Sequence, residues 1–67
     1  MKSVELKSLK QGEWFTKKAI DEPNGGQVWI RGEYDRELKK YCCYCWGDVN
    51  KYCFISGTKA VYIDFTF

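Results

Sequence analysis

Val28-Trp29-Ile30-Arg31-Gly32-Glu33-Tyr34 is the stretch on which the fold turns. Val28, Ile30, Gly32 and Tyr34 fall on one side of an extended chain; Trp29, Arg31 and Glu33 fall on the other. That is the period of a strand, not of a helix. Valine, isoleucine, tryptophan and tyrosine suit a pleated surface. A glycine inside the run predicts a bulge or a sharp bend. Just before it, Asp21-Glu22-Pro23-Asn24-Gly25-Gly26 is the strongest turn signal in the chain, because proline fixes φ and the glycines admit positive φ.

Outward from this stretch, turn residues recur about every ten positions, the rhythm of an all-β chain. Residues 13–20 read as a strand before the turn. Asp35-Arg36-Glu37-Leu38-Lys39 reads as a hairpin loop, Lys40 to Trp46 as a third strand, Gly47-Asp48-Val49-Asn50 as a turn and Lys51 to Ile55 as a fourth strand. After Ser56-Gly57-Thr58-Lys59, a last strand places Val61, Ile63, Phe65 and Phe67 on one face and Tyr62, Asp64 and Thr66 on the other. A one-residue slip there would bury Asp64, so the register is well specified. Leu6 and Leu9, three apart, suit a short helical turn or a packed N-terminal arm.

Sixty-seven residues allow one domain over 1–67. A chain of this size buries only ~60% of its unfolded surface, and here large side chains compensate: aromatics are 18% of the sequence. Five strands with short loops must curl over themselves to cover an apolar face. The expected fold is therefore all-β, a single small five-stranded antiparallel barrel. SH3-like is favoured over OB-like, which usually carries a helix between its third and fourth strands. The expected core is Leu9, Phe15, Val28, Ile30, Tyr41, Cys43, Cys45, Ile55, Val61, Ile63 and Phe65.

Cys42, Cys43, Cys45 and Cys53 have several readings. Cys42 and Cys45 have CxxC spacing, but a structural zinc site wants four convergent ligands. The chain has no histidine, and an extended run turns Cys42 away from Cys43 and Cys45. With Asp48-Val49-Asn50 as a three-residue turn, Cys45 falls opposite Cys53, close enough for a disulfide. A redox motif would need a helix N-terminus to lower a thiol pKa. The leading reading is packing: Cys43, Cys45 and Cys53 as small buried hydrophobes and Cys42 outside.

Enzymatic chemistry is thin, because the commonest general base is missing and no glycine-rich phosphate loop precedes a helix. We expect a non-enzymatic chain with no cofactor. No apolar run approaches the ~20 residues of a membrane helix, nor does one resemble a signal peptide, so the expected location is cytoplasmic, without a membrane partner. The net charge is only +2, unevenly spread. Under the register above, Trp29, Arg31, Tyr44, Trp46 and Tyr62 face outward, with Lys39, Lys40 and Lys51 nearby. Rings that stack on bases beside cations that follow phosphates are what single-stranded nucleic acid requires. The same exposed rings suit a protein partner or a weak homodimer of an otherwise monomeric chain.

The runs Leu9-Lys10-Gln11-Gly12-Glu13-Trp14-Phe15, Val28 to Arg36, Lys39 to Cys43 and Val61 to Phe65 resemble short uncharacterised bacterial proteins of gut-associated and mobile-element or phage origin. The resemblance spans nearly the whole chain. It implies a small barrel and no activity, and the cysteine cluster is not part of it.

Overall fold

A computed structural model describes residues 1–67, the side chain of Val49 excepted. The described residues form six strands: β1 (Lys2–Glu5), β2 (Trp14–Thr16), β3 (Val28–Asp35), β4 (Lys40–Cys45), β5 (Asp48–Ile55) and β6 (Ala60–Ile63). All pair antiparallel in one sheet of order β1-β6-β2-β3-β4-β5. The fold is all-β, as the alternation predicts. The edges β1 and β5 do not pair with each other, so the sheet stays open. The sixth strand is the N-terminal arm, which pairs with β6 and then makes one 3-10 turn, Leu6–Ser8. No helix among the described residues is long and apolar enough to cross a membrane.

The predicted bend in β3 is present. The β3–β4 register shifts by one residue between Arg31 and Tyr34. At Gly32 any Cβ would collide with the Cys42 carbonyl oxygen, so only glycine lets the two backbones come this close. The β3–β4 turn is held by the Asp35 carboxylate, which accepts the Glu37 and Leu38 N–H groups at 2.9 and 3.1 Å. Lys39 takes a φ of 55° there.

Strand boundaries differ from the sequence reading, by one residue at the end of β4, which stops at Cys45, and by more at three places. The first strand shrinks from 13–20 to Trp14–Thr16, because the Thr16 hydroxyl donates to the Lys18 carbonyl at 2.7 Å and turns the chain locally. β5 begins at Asp48, so the connection is Trp46-Gly47 and not residues 47–50. That tight turn is held from outside its hairpin: Trp46 N–H donates to Val28 O at 2.8 Å and Gly47 N–H to Gly25 O at 3.0 Å. β6 stops at Ile63, since Asp64 adopts a φ of 61° and takes the chain off the sheet. Thr66 N–H then donates to Asp21 O at 2.9 Å, tying the tail to the long loop after β2.

The core lies on one side of the sheet. Leu6, Leu9, Phe15, Trp29, Cys43, Cys45 and Val61 form it, with Val4, Tyr41, Cys53, Ile55 and Ile63 packed against it. Two expected members lie elsewhere. Ile30 is half-buried on the opposite side, and Phe65, in the tail, is half-buried. Trp29 takes the inward place that alternation gave to Ile30. The reason is register: Phe15, Trp29 and Cys45 lie in one cross-strand row, whereas Trp14, Ile30, Tyr44 and Tyr52 lie in the next. Cross-strand partners share a face, so Cys45 and Ile30 cannot both point inward. Burying the indole removes more apolar area than burying the isoleucine. Thr16 and Val28, paired with each other, are fully buried outside this cluster.

Candidate functional site

Two surfaces of the sheet carry unusual side chains, and they lie on opposite sides. The outer side of the meander β2–β5 is apolar. Its central row is Trp14, Ile30, Tyr44 and Tyr52, and the adjoining row brings Gly32, Cys42 and Phe54 together. None of these seven positions is charged. Tyr52 is 62% exposed, Trp14 44%, Phe54 39% and Tyr44 37%. The next strand end adds Trp46, and the tail adds Phe67. Trp14, Trp46 and Phe67 form an edge-to-face trio with ring centroids 4.9 to 6.1 Å apart, a geometry that suits the ring quadrupoles. Tyr52 and Phe54 make a further perpendicular pair at 6.1 Å.

The inner side opens along the gap between the unpaired edge β5 and the β2–β6 pair. Two adjoining hollows of about 290 and 330 Å3 lie in this mouth, and Lys17 lines both. Cys53, Phe54, Ile55, Ser56, Lys59 and Val61 also line the first; Lys18, Lys51 and Gln27 line the second, together with Trp29. The Lys17 ammonium stands 3.7 Å from the Trp29 ring centroid and that of Lys51 5.8 Å away, both within cation–π range. No carboxylate lines either hollow. Among the described residues the single ion pair is Lys7 Nζ to Glu5 Oε1 at 3.7 Å, away from this mouth.

The eight residues expected to share a binding face are thus divided. Tyr44 and Trp46 lie exposed on the outer side. Trp29 is 6% exposed and belongs to the core, covered by Lys17. Arg31 is half-buried on the inner side, its guanidinium 4.2 Å over Tyr41 and its Nη1 donating to the Gly32 carbonyl at 3.0 Å. The buried Nε of Arg31 has no hydrogen-bond partner among the described residues. Lys51 reaches the inner mouth. Lys39 and Lys40 are exposed at the β3–β4 turn, and Tyr62 is half-buried on β6 between Ser3 and Thr16. The residues that sequence reasoning passed over are Trp14, Tyr52, Phe54 and Phe67 outside and Lys17, Lys18 and Lys59 inside. The signal available was the Lys17-Lys18 pair after Thr16, which ends β2.

The cysteines pack as expected in part. Cys43 and Cys45 are buried, while Cys42 and Cys53 are half-buried, and all four are free thiols. The pairing differs from the expectation: Cys43 faces Cys53, and Cys45 faces Asp48. The β5 register set by the two-residue turn causes this. Burial pushes the Cys43 thiol up to about 11; the neighbouring Cys53 and Cys42 add to the shift, while the Gly32 backbone and the Lys17 ammonium oppose it. Such a thiol is inert at neutral pH. The Cys45 thiol points to the Gly25 carbonyl at 3.5 Å. Among the described residues no group of three or more His, Cys, Asp or Glu is arranged to hold a metal ion.

No family model, no curated protein and no solved structure matches this chain.

Proposed function

We propose that this chain is a non-enzymatic interaction module, an SH3-like variant in which an extra N-terminal strand extends the sheet, and that it docks protein through its outer face. The order β6-β2-β3-β4-β5, a four-strand meander with the last strand returning beside the first of them, supports the SH3-like reading. A cytoplasmic location is part of the same proposal.

The observation that carries the function is the uncharged outer face, seven positions on four strands with exposed aromatic rings at Trp14, Tyr44, Tyr52 and Phe54. Contiguous apolar surface of this kind marks interfaces, and tyrosine and tryptophan are the residues that dominate them. Lys40, two residues before Cys42, is the cation that shares this side, and it sits opposite Asp35. A face rich in rings and poor in free cations favours protein over nucleic acid, since stacking and phosphate contacts need both together.

The occupant we propose is a second copy of the chain. A twofold axis pairs a patch with itself. This patch holds no charge, so two positively charged copies can meet there without opposing their lysines. Sedimentation velocity over roughly a hundredfold range of protein concentration tests this, since mass action makes a weak dimer concentration-dependent. A rise from monomer to dimer that the double variant Tyr44→Glu/Tyr52→Glu abolishes is the expected result. A chain that remains monomeric at every concentration overturns self-association.

A further inference from the structure

The lysines of the inner mouth have a different logic from the rings outside. Lys17, Lys18, Lys51 and Lys59 converge on two hollows that share Lys17, and no carboxylate accompanies them. The Lys17 and Lys51 ammonium groups both lie near one indole ring, so they are no farther apart than about a Debye length at ~0.1 M salt. Like charges at this distance repel, and the chain has nine acidic residues that could have been placed among them. Trp29 offers only its ring face as a counterweight, a weak attraction beside the mutual repulsion of the ammonium groups. Two further polar groups line the mouth, the Gln27 amide and the Ser56 hydroxyl, the latter also paired with the Thr58 hydroxyl at 3.0 Å. An unneutralised cluster of cations, accompanied by neutral polar groups and apolar side chains, is the electrostatic complement of a multiply charged anion.

We propose that this mouth binds a ligand carrying two or more phosphate groups, with Lys17 between them. Lys18, Lys51 and Gln27 hold one phosphate in the hollow over Trp29. Lys59 and Ser56 hold another in the adjoining hollow, against Cys53. Lysine suits this work as a compact, mobile point charge that binds phosphate without demanding a fixed fork geometry. A single carboxylate would engage one hollow and leave the other cations unmatched. The site meets the proposed docking face only at Phe54, which also lines the first hollow. Substituting the lysines of the hollows leaves that face untouched, so the site is tested independently of self-association.

The experiment is a 15N-edited NMR titration of the full chain, with inorganic tripolyphosphate in one arm and a single-stranded oligothymidylate in the other. Saturable shifts are expected at the amides of Lys17, Lys18, Gln27, Lys51 and Lys59 and at the Trp29 indole N–H, with the Trp14 and Trp46 indoles unmoved. Lys17→Gln/Lys51→Gln should weaken binding at least about tenfold. Lys2→Gln/Lys40→Gln removes the same charge from positions outside the hollows and should weaken it less than about threefold, the part owed to net charge alone. Tighter binding of the oligonucleotide, with a log–log salt slope of about −2 to −3 for three to four neutralised phosphates, identifies a nucleic-acid backbone as the source. Equal or tighter binding of tripolyphosphate identifies a free oligophosphate. Absence of saturable shifts with both ligands overturns the site, and so does equal weakening by the two double variants.

Discussion

On its inner side the meander β2–β5 presents Phe15, Trp29, Cys43 and Cys45; on its outer side it presents Trp14, Ile30, Tyr44 and Tyr52. The two sides are similar in apolar character, yet only the inner one is the core. What separates them is cover. Leu6 and Leu9, from the 3-10 turn and its exit, and Val61 of β6 close over the inner side. The outer side is covered at its Thr16–Val28 end, where both side chains are fully buried; beyond that end it receives the tail, whose Phe67 reaches Trp14 and Trp46. Hydrophobicity within a strand therefore does not assign its faces; the segments that fold across the sheet do.

Adjacent residues on β2 test this most severely. Phe15→Ala should cost about 3–5 kcal/mol as a core truncation, comparable with the whole stability of a chain this size, so the cooperative urea transition should vanish. Trp14→Ala, one residue away and facing outward, should cost less, about 1–3 kcal/mol for its two edge-to-face pairs. Equal effects in urea denaturation would erase the distinction between the sides. Gly32→Ala follows, at about 2–4 kcal/mol for a buried backbone collision. Its NMR signature is displaced cross-strand contacts at Tyr34–Tyr41 and Arg31–Cys43, because the bulge sets which β3 residues share a side after it.

Alkali should act on the inner side through Cys43. Cys43 titrates near 11 in the fold against an ordinary 9.0. A thiol raised in this way contributes stability that is fully present below the unfolded value and is lost as pH rises through the folded one. The loss is at most about 2–3 kcal/mol between those limits. The urea midpoint of the parent chain should therefore fall more steeply than that of Cys43→Val from pH 9 upward; parallel curves would show that Cys43 is not buried as described. The smallest effect belongs to the outer side. Tyr52→Ser should change stability by no more than about 0.5 kcal/mol, as surface substitutions do, while weakening self-association. Loss of cooperative unfolding in this variant would mean that Tyr52 belongs to the core.

Much of this fold was legible in the sequence. Alternation located β3 and the first half of the last strand, and Gly32 announced the bulge. Leu6 and Leu9 gave the turn before β2. What could not be read was pairing. Whether Cys45 meets Cys53 or Asp48 depends on the length of one turn, and Trp46-Gly47 is held by bonds to Val28 and Gly25, some twenty residues earlier. The face of Trp29 depends in turn on its partners Phe15 and Cys45. The candidate site suffered most, because it needed both errors to be absent. Tyr44, Trp46 and Lys51 were identified individually, but on a single face that the register divides. Lys17 and Lys59 gather only where the sheet fails to close, a property of the assembled strands.

The pairing of β1 with β6 also bears on the order of events in folding. Its register joins Lys2 to Ile63 and Glu5 to Ala60, whereas β3 with β4 and β4 with β5 are joined by short turns. Closing a long loop costs entropy before any contact offsets it, so local hairpins form early and distant pairings late. The meander is thus the natural nucleus, and the two chain ends zip together afterwards. During that interval the side destined for the core is as bare as the side that remains so, and collapse has two apolar faces to choose between until β6 and the N-terminal arm arrive.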